Sequence, residues 1–220
     1  MRTFKIPEVL TDEERQKLLR IPNKRYPTGL RNYCIMLIIF DGGLRSSEIV
    51  NLHMNNINLN NGQIKVVQGK GRKDRILWVN GETLQQLKKW IERKPDSEYV
   101  FCTLQGLKLS DSYLRAFFAR YGKRAGIKKR VHPHMLRHSF ATDLYRQTKD
   151  IRLVQKALGH STISTTMIYT HIVDDDLENG MKNFREKKKR EKEALEKIKR
   201  LEDEIAELKN QIDKGRLFDY

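Results

Sequence analysis

Between residues 132 and 171 of this 220-residue chain, imidazoles, a guanidinium and a phenol stand at fixed spacings, and these are the groups that attack on a phosphate requires. His132-Pro-His134-Met-Leu-Arg137-His138-Ser-Phe-Ala-Thr is followed by Leu158-Gly-His160-Ser-Thr and then by Ile168-Tyr169-Thr-His171. Proline is tolerated in the first turn of a helix because the amide it lacks would have no partner there. Pro133 therefore opens a helix on which His134 and Arg137, three residues apart, share a face and can address one ligand. The pattern predicts a second helix from Asp150 to Ala157, ended at Gly159, with His160 in the turn. Ser161 then caps a third short helix, and Tyr169 lies at its far end.

His134-Met-Leu-Arg137-His-Ser-Phe-Ala-Thr, Leu158-Gly-His160 and Tyr169 resemble the second half of the catalytic domain of tyrosine recombinases of the phage integrase and Xer type. Upstream, Gly43-Leu44-Arg45-Ser-Ser-Glu48 resembles the first box of that family, Gly-Leu-Arg-x-x-Glu. Alone, an Arg–Glu pair three apart is an ordinary surface helix pair contributing roughly a few tenths of a kcal/mol. Beside the downstream boxes, the resemblance implies that Arg45 points at the phosphate and that Glu48 supports the site by hydrogen bonding. Gly69-Lys70-Gly71 alone means only a tight turn. In the family, this hairpin carries a lysine that enters the DNA minor groove and protonates the leaving oxygen, which the resemblance assigns to Lys70. Arg72, Lys73 and Arg75 around the hairpin, and Lys128, Lys129 and Arg130 before the catalytic block, are read as phosphate contacts that position without specifying sequence.

Cleaving a phosphodiester takes an in-line nucleophile, compensation of charge on two non-bridging oxygens, and a proton for the departing 5′ oxygen. Arg45 and Arg137 offer planar forks that stay charged at any physiological pH and can replace a metal. Tyr169, with an ordinary phenol pKa of about 10, needs that field and a base, for which His134 is the candidate. Lys70 is the matching acid and His160 a donor to a non-bridging oxygen. Tyr169 then forms a covalent 3′-phosphotyrosyl intermediate that conserves the bond energy, so no cofactor is expected. His132, His134 and His138 lack the cysteine or carboxylate neighbours of a metal site, and no metal is expected either. His138 is read as packing or hydrogen bonding behind Arg137, and His53 and His171 as structural.

The expected fold is α+β and mainly helical, the catalytic-domain fold of tyrosine recombinases with a small three-stranded antiparallel sheet, followed by a C-terminal coiled-coil helix. Thr11-Asp-Glu-Glu14 is a capping-box pattern opening a helix to about Arg20. Gly29 to Phe40 reads as a core helix buried on most sides. Ile57-Asn-Leu59, Ile64 to Val67 and Arg75 to Val79 alternate as three strands, the first two joined by the turn pair Asn61-Gly62. Glu82 to Arg93 and a segment from Ser110 or Asp111 to about Ala125 are amphipathic helices, with Trp90 assigned to packing.

Lys and Arg number 44 against 28 Asp and Glu, a formal charge of +16, which favours a polyanionic partner such as double-stranded DNA. Cys34 and Cys102 lie in apolar runs and imply reduced core thiols. No run is long enough to span a bilayer, so the reading is a cytoplasmic, nucleoid-associated protein of a prokaryote, or one encoded by a virus or mobile element.

Residues 1–175 are assigned to the catalytic domain and 176–220 to a basic helix with heptads. Starting without the family's N-terminal DNA-clamping domain, such a chain is expected to bind DNA more weakly and less selectively. In the tail, Ile198, Ile205 and Ile212 at a and Leu201 and Leu208 at d favour a parallel two-stranded coil. Self-association and a tetrameric synapse on DNA are the partners implied. Two alternatives remain at this stage: a non-enzymatic dimeric regulator of basic-zipper type, and a type IB topoisomerase-like strand relaxer. The first accounts for the tail alone and leaves the spaced Arg, Lys, His, Arg, His and Tyr set unexplained, and even there Lys182 to Arg190 lacks that family's usual Asn and Arg arrangement.

Overall fold

A computed structural model describes residues 7–67, 74–170, 192–206 and 208–210. The hairpin residues Lys70, Arg72 and Lys73 lie outside the described residues, as do His171, the basic run up to residue 191, and Ile212. Contacts along the chain fall into two units, Met1–Val173 and Asp174–Tyr220.

The first unit is built around one apolar helix. Helix α1 (Asp12–Leu19) starts with the capping box expected of its sequence: Thr11 Oγ1 accepts from the Glu14 amide, and Glu14 accepts from the Thr11 amide. Helix α2 (Pro27–Gly42) is longer at both ends than its apolar run suggested, because Pro27 fits the first turn and Gly43 supplies a left-handed stop at φ 59°. Leu30 and the run from Tyr33 to Phe40 are buried. The stop at Gly43 requires glycine twice over, since a Cβ there would also meet the Phe140 ring at 2.4 Å.

After the five-residue helix α3 (Ser46–Val50), three short strands, β1 (Ile57–Asn58), β2 (Gln63–Val66) and β3 (Arg75–Trp78), form an antiparallel sheet in the order β1-β2-β3. Ile64 pairs with Leu77 and Val66 with Arg75, so the period of two turns Ile64, Val66, Leu77 and Arg75 toward the protein. Helix α4 (Gly81–Ile91) buries Leu87 and Trp90, and the Trp90 indole donates to the Val100 carbonyl at 2.8 Å, a packing role as its stripe implied. Helix α5 (Asp111–Arg124) is capped by Ser110 and turns Leu114, Phe117, Phe118 and Tyr121 inward.

Helix α6 (Pro133–Thr148) and helix α7 (Ile151–Leu158) carry the catalytic block. His132 caps α6, its Nδ1 accepting from the Met135 amide at 3.3 Å, and α7 ends at Gly159, φ 64°. The expected third helix does not form after Ser161. Thr162 precedes a 3-10 turn, Ile163–Thr165, and Tyr169 lies in the helical turn that begins at residue 168. Thr162 gives no side-chain cap, and the Thr-rich segment closes with i to i−3 bonds such as Thr166 N–H to Ile163 at 2.8 Å.

In the second unit, residues 192–206 and 208–210 are helical. Ile198, Leu201, Ile205 and Leu208 are each about half exposed in the single chain.

Candidate active site

The site is assembled around the Glu48 carboxylate. Arg45 is the residue before α3, and Glu48 occupies the third position of that helix, so its side chain reaches back to the Arg45 amide at 2.8 Å and to Arg45 Nη1 at 2.9 Å. Arg75, at the start of β3, meets the same carboxylate with both arms, at 2.8 and 2.7 Å, while its Nε donates to the Ala157 carbonyl at the end of α7. Arg137 Nη1 stands 3.9 Å from Glu48. Burial alone would raise the Glu48 pKa, but Arg75, the Arg45 amide and Arg137 outweigh it and hold the acid at about 2. Three guanidinium groups thus face one carboxylate, and positive charge is left over in a poorly hydrated place. That is a seat for an anion.

Arg137 projects from the first turns of α6 and is almost fully buried. It donates to the Gly43 carbonyl, to the Leu158 carbonyl at 2.7 Å and to His160 Nε2 at 3.3 Å, so it ties the ends of α2 and α7 together. Burial, then repulsion from Arg45, lowers its pKa to about 9, which still leaves it charged at neutral pH.

Because a guanidinium can only donate, Nε2 of His160 must accept; the ring's Nδ1 then carries the proton and donates to Thr166 Oγ1 at 3.0 Å. Gln155 fixes the backbone of His160 from both sides. The neutral state this demands is the one burial favours, with Arg137 and Arg45 adding repulsion, and the pKa falls to about 4.

Tyr169 is 1% exposed and packs with Ala141, Val154 and Leu158. Its hydroxyl stands 2.8 Å from His138 Nδ1. Burial pushes the phenol up to about 12, although Arg137 and Arg45 pull the other way. His134 is exposed on the first turn of α6, and burial of part of its ring together with Arg137 lowers its pKa. Beside Arg45 and Glu48 opens a cleft of about 540 Å³, lined also by Asn51, Asn55, Lys65 and Val67.

The sequence model of the phage integrase family matches residues 8–176. The chain belongs to that family. A tyrosine recombinase of Pseudothermotoga lettingae is 37% identical over 174 residues, covering 78% of this chain and 59% of that protein. Tyrosine recombinase XerA of Pyrococcus furiosus is 38% identical over 180 residues, covering 80% and 61%. Among solved structures, a XerA recombinase superposes with a TM-score of 0.72 at 32% identity over 83% of this chain and 67% of its own. XerH bound to a palindromic difH substrate in a post-cleavage complex gives 0.70 at 34% identity, covering 82% and 54%. The chain spans about three fifths of the length of the two sequence relatives. The mainly helical fold with a small three-stranded sheet is that of this phage integrase family domain.

Within the family domain, the structure brings together Arg45, Glu48, Arg137, His160 and Tyr169, while Lys70, Arg72 and Lys73 lie outside the described residues. Four sequence readings need correction. Arg75 is 7% exposed and holds Glu48, so it is not a loose phosphate contact. Lys129 donates to the Val9 carbonyl and to Glu14, tying the segment before α6 to α1, whereas Lys128 and Arg130 are exposed. His138 hydrogen-bonds, but its partner is the Tyr169 hydroxyl, and in this arrangement His160 Nε2 accepts from Arg137 where a donor to phosphate was expected. A signal for Arg75 was present: residues 75, 77 and 79 share a strand face with apolar neighbours. The Thr166 support of His160 had no signal.

Proposed function

We propose that this domain is the catalytic core of a site-specific DNA recombinase or integrase that cleaves and rejoins strands through a 3′-phosphotyrosyl link at Tyr169. The observation that carries the reading is the excess of cations, Arg45, Arg75 and Arg137 around the single Glu48, with Arg137 and Arg45 within electrostatic reach of the buried phenol. A phosphodiester entering that field has its non-bridging oxygens compensated by Arg45 and Arg137, with His134 at the exposed edge and Lys70 as acid for the leaving 5′ oxygen. The tyrosyl ester retains the energy of the broken bond, so rejoining draws on no nucleotide cofactor and no metal. The partner is double-stranded DNA, by analogy with the XerH complex on difH, aided by the chain's charge of +16. Self-association through the tail heptads and a tetrameric synapse complete the reading, in a DNA-associated cytoplasmic setting or on a mobile element. Among the described residues, no helix is long and apolar enough to cross a membrane.

A pool of nicked duplexes of randomised sequence, incubated with the protein, tests this directly. A denaturation-resistant protein–DNA band that disappears in Tyr169→Phe is expected, and sequencing the trapped ends yields the preferred site. No band with the wild type removes the reading. Relaxation of supercoiled plasmid without sequence preference replaces it with a topoisomerase-like activity.

A further inference from the structure

The proposed attack needs the phenolic proton of Tyr169 to leave, and three observations restrict where it can go. The hydroxyl is shut away from water, with Tyr169 1% exposed, so solvent cannot take the proton directly. Its pKa, raised to about 12 by burial, leaves a negligible phenoxide population at neutral pH, so the proton must move as the oxygen attacks. Among the described residues the hydroxyl has one hydrogen-bond partner, Nδ1 of His138 at 2.8 Å. His134, the base suggested by sequence, is exposed and makes no such bond to Tyr169 among the described residues.

We propose that His138 is a further catalytic residue, accepting the Tyr169 proton at Nδ1 during strand cleavage and returning it during rejoining. This rests on Tyr169 being the nucleophile. In the step, the Tyr169 oxygen bonds to phosphorus, the bond from phosphorus to the 5′ oxygen breaks, the phenolic proton passes to His138 Nδ1, and a separate proton from Lys70 reaches the 5′ oxygen. No electron changes hands.

His138 is neutral in the folded protein: burial, then the neighbouring His134, Arg137 and His132, lower its pKa to about 4. A base that weak cannot deprotonate a resting phenol. It can accept the proton once bonding to phosphorus has made the oxygen far less basic, and a phosphate anion bound near Arg137 would strengthen it. The same weakness makes the protonated ring a strong acid toward the tyrosyl oxygen when the ester is reopened. The titratable and charged groups acting here are His134 and Arg137 on the same helix, His132 at its N-cap, Tyr169 opposite, and Arg45 acting on the phenol.

Single-turnover adduct formation on the duplex recovered by trapping, measured across neutral to alkaline pH, decides the role. Asn places an amide near the position of Nδ1 and can keep the hydrogen bond without being a base. His138→Asn is expected to slow adduct formation by about 100-fold or more at neutral pH, with the rate rising about tenfold per pH unit where the wild type is flat. Duplex affinity should stay unchanged. If the variant keeps the wild-type pH profile, His138 only holds the ring and the proposal fails. Nitrogen NMR of histidine-labelled wild-type protein gives a check that needs no substitution at His138. Its Nδ1 should appear as a bare nitrogen accepting a hydrogen bond, a signature lost in Tyr169→Phe; a protonated Nδ1 would overturn the assignment. Absence of any wild-type adduct would remove the nucleophile, and this inference with it.

Discussion

Arg75 grips Glu48 with both arms of its guanidinium, Nη1 to Oε1 at 2.8 Å and Nη2 to Oε2 at 2.7 Å, and neither side chain is more than 8% exposed. Through its third nitrogen it also holds the end of α7, two residues before Gly159. One side chain thereby connects the sheet, the Arg45 box and the loop that carries His160.

Removing one partner of a buried pair leaves an uncompensated charge. Arg75→Ala should therefore lower unfolding stability by about 3 kcal/mol, the low end for such pairs because Arg45 and Arg137 still face Glu48. Arg75→Lys restores a charge but not the fork, and should recover only part of the loss. Urea denaturation of both variants, with Glu48→Gln to close a double-mutant cycle, measures it. Additive losses would mean that the pair is not coupled.

Acid should weaken the fold in two stages. His138 and His160 fall from an ordinary 6.5 to about 4, so the unfolded chain takes up their protons first as pH drops. Their contribution is complete above about 6.5 and is lost as pH falls through about 4. Glu48, lowered from 4.5 to about 2, adds a second loss that begins below about 4.5. Melting temperature should decline already between pH 6.5 and 4, and the decline should flatten in a variant carrying both His138→Asn and His160→Asn. A melting temperature constant over that interval contradicts the buried neutral imidazoles.

Arg137→Lys should cost more than charge. An ammonium cannot serve the Gly43 and Leu158 carbonyls, His160 and a phosphate oxygen from one plane, so the ends of α2 and α7 loosen while the anion seat weakens. Adduct formation is expected to fall by about 100-fold or more in Arg137→Lys and in Arg45→Lys. Near-normal single-turnover rates in either would remove that arginine from the proposed phosphate site.

The acid role proposed for Lys70 is separable from binding by the leaving group. Lys70→Ala should block cleavage of an ordinary phosphodiester yet cleave a substrate whose bridging 5′ oxygen is replaced by sulfur, because a thiolate leaves without a proton. Equal impairment on both substrates would take Lys70 out of that role.

What the sequence disclosed and what it hid follow from the range of the interactions. The Thr11–Glu14 box, the Gly159 stop and the inward stripe of α4 are local, set by residues within four positions, and are readable. The partners of the chemical groups are not. Glu48 with Arg75 spans 27 positions and His138 with Tyr169 spans 31, and nothing local names either partner. Arg75 stands among basic hairpin residues whose charge alone suggests a phosphate contact, while the alternation of its strand points it inward. Ser161 has the side chain of a helix cap, but the segment after His160 forms a 3-10 turn that sets Thr166, fully buried, against Nδ1 of His160.

The tail offers a prediction independent of the chemistry. Residues 192–206 and 208–210 are helical, and Ile198, Leu201, Ile205 and Leu208, spaced alternately by three and four, are 53%, 49%, 52% and 57% exposed in the single chain. Isolated helices of this length are marginal, so such a stripe gains most by pairing. In a parallel pair, Lys197 and Glu204 at g face Glu202 and Lys209 at e of the partner, with opposite signs at both contacts. Ile205 is the central a position. A lysine there would bury an unpaired ion, whose desolvation exceeds what so short a seam can supply. Ile205→Lys should therefore sediment as a monomer at concentrations where the wild type is a dimer. Because every proposed catalytic group precedes Thr170, cleavage of a single half-site should be retained while recombination requiring several protomers declines, and DNA affinity should weaken only through lost avidity. If wild type and variant sediment as the same species, the heptads do not join protomers.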